Sequence, residues 1–314
     1  MISVIIATKN RDIALANISL PSLLNQKESD FEVILWDASD NSRTRLVAEK
    51  YCHPFSCNGV SLRYFPAPRQ GSASQRNDAV EVASGDLIFF IDDDSEVSPD
   101  GISGLRECFA SDPAIMGAAL LVTESPVGLE KTQEKNSIKD RLYRLVGYRK
   151  KRVVSLSGSA KGIEAPAGPA QWLSGCSMAY RRSVFDHLRF NEKLETFGPY
   201  AMFEDIEFSH RVFLKYKCPL WIASRGKVTH RPVLNERVEG TEKKVAMYFF
   251  NRYLTMRVTS KDHCILGFIP FCWAVVRLLI KLTRAYGAAV VWRGFLLAFR
   301  EVTNSQQRRR NKNV

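Results

Sequence analysis

The stretch Leu87-Ile88-Phe89-Phe90-Ile91-Asp92-Asp93-Asp94-Ser95 sets five large apolar residues directly against three carboxylates. Leu87 to Ile91 has no polar alternation, and turn-forming Ser84-Gly85 and Ser98-Pro99-Asp100-Gly101 bracket the segment. The pattern predicts a short strand buried on both faces. Such strands belong to parallel or mixed sheets covered by helices. The carboxylates then fall at the carboxyl end of a central strand, where open α/β sheets bind their ligands. Side chains two apart in a strand share a face at about 6.6 Å, so Asp92 and Asp94 would repel by about 2–3 kcal/mol at an effective dielectric of about 20. Two arrangements offset that cost. One is full solvation of a polar loop; the other is a divalent cation, Mg²⁺ or Mn²⁺, which takes oxygen ligands and is commonly held by one or two carboxylates plus substrate phosphates.

Outward from this segment, strand and helix signals alternate over residues 1–121. Ser3 to Ala7, Phe31 to Trp36 and Val60 to Phe65 read as strands. Ile13 to Leu24 (interrupted by Pro21), Arg43 to Tyr51, Gly71 to Ala83 and Ile102 to Phe109 read as helices. Strict alternation implies a parallel sheet with helices on both faces, a Rossmann-like α/β layer. No G-x-G-x-x-G follows the first strand, which disfavours a dinucleotide site. From Thr123 to Ala170 the periodicity fades and Gly, Pro, Ser and Lys accumulate, as in lids, binding loops and disordered inserts. Order returns at Trp172 to Tyr180, followed by a helix from Arg182 and a second from Glu204 to Lys217. Asp205 lies in the first turn of the latter, the end that favours carboxylates. His230, in Val228-Thr229-His230, ends a further strand.

The 314 residues suffice for a full core, and 45% hydrophobic with 25% charged residues is ordinary for a globular chain. The net charge of +12 is not ordinary, and it is unevenly spread. Lys139 to Arg152 carries seven basic residues against one acidic, and Asp262 to the C-terminus nine against two. The excess reads as a surface-targeting feature. Seven cysteines, an odd number without a C-x-x-C pair, argue for reduced thiols in a cytosolic setting and against a disulfide framework or structural zinc. Strand-like Ser3 to Ala7 comes directly after Met1, leaving no room for a signal peptide. Near the other end, Ile265 to Val276 is twelve residues without a charge but holds Pro270, and basic residues interrupt the apolar sequence from Arg277 onward. A spanning helix needs about 20 mostly apolar residues, which neither piece supplies. Arg277, Lys281 and Arg284 fall at i, i+4 and i+7, the pattern of an interfacial amphipathic helix or of a packed helix with a solvated basic side. The basic tail Arg308-Arg309-Arg310 favours the interfacial reading, with an anionic membrane surface as partner.

The order of motifs resembles the family 2 glycosyltransferases of GT-A fold. It runs Ser3 to Arg11, Asp37 closing the second strand, Arg76-Asn77, Gly85-Asp86, Asp92-Asp93-Asp94 (an Asp-x-Asp arrangement), Trp172 to Ser177 and Glu204-Asp205. The resemblance covers about residues 1 to 235. It implies a mixed, mostly parallel sheet flanked by helices, to which the residue pattern described above adds amphipathic helices at the C-terminal end. Residues 1–121 would form the nucleotide-sugar half, 122–170 a variable loop or lid, 171–260 the acceptor and catalytic-base half, and 261–314 the membrane-associating helices and basic tail.

The resemblance further implies that a nucleotide-diphosphate sugar, a UDP-sugar being favoured, lies across the ends of the first, second and fourth strands. Thr8 and Arg11 would line the nucleotide pocket. Asp37 would accept a hydrogen bond from the base, or else serve as a turn carboxylate. Arg76 would pair with the nucleotide or the aspartates, or else lie on a helix surface. Asp92 and Asp93 go to the ribose and diphosphate side and Asp94 to the metal, with His230 either a further metal or diphosphate contact or a structural histidine. Trp172 and Gly175 match the acceptor side, where an aromatic face can stack on a sugar, a core tryptophan being the other reading. Asp205 matches the family's base, which takes the acceptor hydroxyl's proton as it attacks with inversion; Glu204 is the structural member of the pair. One departure is Ala79, where many relatives have Gly. The expected enzyme is a metal-dependent glycosyltransferase acting in polysaccharide or lipid-linked glycan assembly, peripheral on the cytoplasmic face of the cell membrane. A sugar nucleotidyltransferase would want a Gly-rich basic loop where Thr8-Lys9-Asn10-Arg11 stands. A nucleic-acid or anionic-surface binding module would account for the charge, but the basic residues lie away from the motif strands, and no nucleic-acid partner is expected.

Overall fold

The computed structural model describes residues 1–124, 151–162, 166–232, 240–259 and 264–310. Most of the segment 123–170, nearly all of the basic run 139–152 and the chain end after residue 310 lie outside the described residues.

Four parallel strands form the sheet's first half in the order β3 (Ser61–Pro66), β2 (Phe31–Asp37), β1 (Ile2–Thr8), β4 (Leu87–Ile91). Their apolar runs lack polar alternation because both faces are covered. Val4, Ile6 and Phe89 point into one core, and Ile5, Ile88 and Phe90 into the other. Burying each such side chain contributes about 1.5–3 kcal/mol. The first core packs under α1 (Asp12–Ala14), α2 (Leu20–Leu24), α3 (Arg43–Cys57) and α5 (Gly101–Ser111). A π-helical turn, Leu15–Ser19, joins α1 to α2, and Pro21 sits in the first turn of α2, directly after that irregularity. The second core packs under α4 (Ser72–Val82) and α6 (Glu204–Tyr216).

The second half of the sheet is mixed. After β5 (Ser95–Val97), β6 (Gly117–Glu124), the two-stranded pair β7 (Val153–Val154) and β8 (Ala160–Lys161), and β9 (Gly168–Ala170) comes β10 (Met178–Arg181). It inserts antiparallel between β4 and β6. β11 (Leu220–His230) runs parallel to β6 and antiparallel to β5, with His230 opposite Ser95. Helix α5 approaches β11 so closely that a Cβ on Gly104 would lie 2.2 Å from the Arg225 carbonyl oxygen.

Two sequence-based expectations change. The helix expected from Arg182 is a single 3₁₀ turn, Arg182–Val184, after which Phe185 and Phe190 close on Phe90 at centroid distances of 5.9 and 5.3 Å. Those aromatic contacts hold the chain in a turn. The strand also stops at Ile91, so the three aspartates occupy a turn, closed by Ser95 N–H to the Asp92 carbonyl at 3.1 Å, and do not continue the alternation of the strand.

Three C-terminal helices, α7 (Thr241–Thr259), α8 (Cys264–Tyr286, with Pro270 inside) and α9 (Ala288–Arg310), pack on one another through Val245, Phe249, Phe250, Leu282, Val291 and Ala298. Asn251 on α7 donates to the carbonyls of Leu194 and Met202, both at 2.9 Å, which anchors this bundle to the α/β domain. Among the described residues no helix is long and apolar enough to cross a membrane.

Candidate active site

Strand register sets the site. Ile6 pairs with Ile91, so Thr8 stands level with the aspartate turn, and its hydroxyl donates to Asp93 Oδ2 at 2.7 Å. Just beyond β1, Asn10 takes a left-handed conformation (φ 54°) that Asn tolerates. Its amide ties to Asp40 at 3.0 Å, joining the loops after β1 and β2. The same turn aims Arg11 at the aspartates: its Nε donates to Asp93 Oδ1 at 2.9 Å and its Nη2 bonds Asp94. Burial pushes Asp93 up to about 6, against the pull of Arg11 and Thr8 and with help from Asp94 and Asp92.

The second arginine reaches across the opening. Arg76, from α4, is 5% exposed and bonds Glu204 Oε1 at 2.5 Å and Asp92 Oδ1 at 3.1 Å. Burial works against its charge, but Glu204 and Asp92 more than compensate, so its proton is held more tightly than usual. Asp92 keeps a side chain 38% exposed, facing the opening. Glu204 is buried and is pushed up to about 7.

Asp205 occupies the first turn of α6, entered through Phe203 in a left-handed conformation (φ 74°). That geometry is rare for a bulky residue and costs on the order of 1–2 kcal/mol. It turns Asp205 toward the loop before β10, where the Gly175 N–H donates to Asp205 Oδ2 at 2.9 Å. Burial raises the Asp205 carboxyl above its usual value, while the backbone N–H groups of Gly175 and Ile206 and the Arg76 charge pull it down. A carboxylate raised in this way is a stronger base than a free one. Gly175 thus touches the Asp205 carboxylate through its backbone.

At the far side, the β11–β5 pairing brings His230 Nε2 to 3.3 Å from Asp94 Oδ1. One ligand atom each from Asp92, Asp94 and His230 lie within 4.8 Å of one another. Two carboxylates and an imidazole suit a divalent cation such as Mn²⁺, which accepts both oxygen and nitrogen donors. The structure therefore adds Asp92, expected on the ribose and diphosphate side, to the reach of an ion. Asp93 instead turns inward to Thr8 and Arg11.

Asp37 and Trp172 stand apart. Asp37 lies beside Thr8 in register, is buried rather than an exposed turn carboxylate, and accepts from the Ser39 N–H at 3.0 Å and the Tyr64 hydroxyl at 3.0 Å. Trp172 is 5% exposed; its indole N–H donates to the Lys161 carbonyl at 2.9 Å and the Arg152 guanidinium lies 5.2 Å from its ring centre. Its ring is packed in the interior beside Arg152, as the core reading of this tryptophan has it. Sequence reading missed Gln75, whose buried amide bridges the Thr8 and Trp36 carbonyls at 3.2 and 3.1 Å. It also missed Arg152 and Arg252, since the charge runs gave no hint of which basic residues fold inward.

The model of a family described as "Glycosyl transferase family 2" matches residues 3–189. Among curated proteins, the GalNAc(5)-diNAcBac-PP-undecaprenol beta-1,3-glucosyltransferase of Campylobacter jejuni is 29% identical over 108 residues, covering 34% of this chain and 33% of that protein. The chain thus matches a third of that relative's length. Among solved structures, S. aureus TarS 1–349 in complex with UDP superposes with a TM-score of 0.55 at 17% identity, covering 83% of this chain and 65% of the other. Mannosyltransferase PcManGT from Pyrobaculum calidifontis, in complex with GDP-Man and Mn²⁺, superposes with a TM-score of 0.56 at 13% identity, covering 95% and 86%. These likenesses show the fold, a GT-A sheet with flanking helices.

Proposed function

The chain belongs to glycosyl transferase family 2, and from that premise we propose that it moves a sugar from a nucleotide-diphosphate sugar to a hydroxyl of a lipid-linked glycan, inverting the anomeric centre. One observation carries this reading: Asp205, held by the Gly175 N–H, and the Asp92–Asp94–His230 group border the same rim. Their coupling through Arg76, which neighbours both Asp92 and Asp205, supports a single reaction centre.

The roles follow from chemistry. Asp205 takes the proton of the attacking hydroxyl, a step that contributes about 10²–10⁴-fold in rate. Gly175 and Arg76 hold that carboxylate in line, and Glu204 locks Arg76 in place. Thr8 and Arg11 orient Asp93 and, with Asp37, border the nucleotide pocket. A divalent ion, Mg²⁺ or Mn²⁺, held by Asp92, Asp94 and His230 would stabilise the charge that develops on the departing diphosphate. Complexes of structural neighbours with UDP and with GDP-Man and Mn²⁺ support a nucleotide-sugar donor, a UDP-sugar being the favoured one. The undecaprenyl-diphosphate acceptor in the name of the Campylobacter jejuni relative supports a lipid-linked acceptor in glycan assembly.

In this reading residues 1–121 bind the donor, 171–260 hold the acceptor and base, 122–170 vary with the acceptor, and 261–314 attach the enzyme peripherally to the cytoplasmic face of the cell membrane. Exposed Phe268, Ile269, Trp273, Ile280, Trp292 and Phe299 on the last two helices support that attachment. The free thiols of Cys52, Cys57 and Cys272, all exposed, support a reducing compartment. The test is transfer from a panel of UDP-, GDP- and dTDP-sugars, with and without Mn²⁺, to membrane-extracted lipid-linked glycans. Metal-dependent transfer from one donor is expected; binding of nucleic acid with no response to any nucleotide-sugar would overturn the reading.

A further inference from the structure

The acidic turn after β4 meets two arginines, and the chain places them differently. Arg76, on α4, bonds Glu204 and Asp92, yet the Asp92 side chain stays 38% exposed toward the opening. Asp92 can therefore offer oxygen to an ion without releasing Arg76. Asp94 differs. Its side chain is 9% exposed, with Oδ2 on the Arg11 guanidinium and Oδ1 3.3 Å from His230 Nε2. Arg11 Nη2 thus stands on a carboxylate that, with Asp92 and His230, brings three ligand atoms within 4.8 Å of one another.

A guanidinium and a divalent ion compete for one carboxylate, because both draw on its lone pairs and their positive charges repel at short range. An arginine in this place lowers the affinity of the ion by its presence. The way Arg11 is held shows how that conflict is relieved. Its Nε donates to Asp93 Oδ1 at 2.9 Å, and the Thr8 hydroxyl fixes buried Asp93 in turn at 2.7 Å. The side chain is therefore anchored through Nε while its outer nitrogen, Nη2, reaches Asp94. A tilt about that anchor takes Nη2 off Asp94 without unpinning Arg11 from Asp93. Phosphate oxygens at the rim match the guanidinium fork and compete well for it.

We propose that Arg11 is the resident counter-ion of Asp94 and makes cation binding conditional on the donor: Nη2 holds Asp94 until a donor diphosphate draws the guanidinium away, which frees an Asp94 oxygen for the ion. This rests on the transferase reading and specifies how its site is regulated. Nucleotide and cation then bind with a positive coupling that runs through Arg11, and by linkage each raises the affinity of the other by the same factor. Arg11 is a positioning residue here, and its effect on the ion has the opposite sign to that of a support. Removing a support weakens the ion's site; removing a rival strengthens it.

The test is calorimetric titration of Mn²⁺ into the full-length protein, alone and with saturating UDP, for the wild type, Arg11→Gln and Lys9→Gln. Glutamine puts an amide N–H where Arg11 has Nε, so the bond to Asp93 is kept while Nη2 and the charge are lost. Without nucleotide, Arg11→Gln should bind Mn²⁺ at least about tenfold more tightly than wild type, and the factor by which UDP raises Mn²⁺ affinity should fall about tenfold. Lys9 stands two residues away with its charge on Asp40 at 3.2 Å, so Lys9→Gln should leave the affinity for Mn²⁺ alone within about twofold. Should Arg11→Gln melt well below wild type, the wild type alone decides. With Mg²⁺ as the ion, nitrogen NMR of labelled arginine side chains should then show the Arg11 guanidinium signal moving as UDP is added, and a stationary signal overturns the inference. Equal or weaker Mn²⁺ binding by Arg11→Gln overturns it, as does a UDP effect as large as in wild type or a gain of the same size in Lys9→Gln. Those outcomes leave the transferase reading standing. Absence of Mn²⁺ binding by the wild type, with and without UDP, overturns the inference and the cation site together.

Discussion

The rim of the parallel sheet and the face of the C-terminal helices treat charge in opposite ways. At the rim each aspartate has a cation from the chain itself: Arg76 on Asp92, and Arg11 on Asp93 and Asp94. On the helical side Arg277, Lys281 and Arg284 line one cleft of α8, and large apolar side chains stand in solvent next to them. The rim nevertheless holds more carboxylates than arginines, Asp92, Asp93, Asp94, Glu204 and Asp205 against Arg11 and Arg76, an excess that a divalent cation would offset. On the helical face, exposed apolar area of this size adds nothing to a chain's own stability and marks a surface that an external partner covers.

The largest expected effect separates chemistry from binding at the rim. Asp205→Asn should lower transfer by about 10²–10⁴-fold, while calorimetry finds donor affinity within about twofold. Wild-type turnover by this variant would break the assignment. Next in size is the cation. Partners one shell outside a metal site are worth about 10–100-fold in metal affinity, so Asp94→Ala, which removes a ligand, should weaken Mn²⁺-dependent nucleotide binding by at least about 100-fold. If nucleotide affinity and its Mn²⁺ dependence stay as in wild type, Asp94 is not a ligand.

A smaller effect sharpens the helical side. Replacing Trp273, 65% exposed, with Ser should weaken retention on anionic vesicles about tenfold without lowering the melting temperature, since full burial of such a side chain is worth about 1.5–3 kcal/mol. An unchanged partition would mean that this stripe stays in water. The smallest concerns pH. Burial holds the Glu204 carboxyl at about 7, against 4.5 for a free glutamate. Between these values the folded chain keeps a proton that the unfolded chain has released, so this group lowers stability as pH rises from about 4.5 to about 7. Glu204→Gln should therefore flatten the decline in melting temperature over that window. A decline as steep as that of wild type would show that Glu204 titrates normally.

Much of the rim was legible in the sequence because its determinants are local. The apolar run Leu87 to Ile91 and the turn residues around it define β4, and Thr8, Arg11, Asp37 and the three aspartates all sit where β1, β2 and β4 end. What stayed hidden depends on pairing between distant segments. His230 was suggested by the resemblance alone; it meets Asp94 because β11 runs antiparallel to β5, a register that no period in either segment announces. Glu204 and Asp205 carry the expected motif, but their orientation comes from the left-handed Phe203, which a sequence pattern does not reveal. The inward-turned arginines were least legible. Arg152 and Arg252 come from distant segments, and a charge count cannot say which basic side chains fold inward.

The most direct measurement is a crystal structure of the full chain with Mn²⁺ and a nucleotide-sugar, using anomalous scattering to locate the ion. The account predicts a manganese peak among Asp92, Asp94 and His230, with the diphosphate beside it and the anomeric carbon facing Asp205. A peak elsewhere, or a donor seated away from this rim, would contradict it.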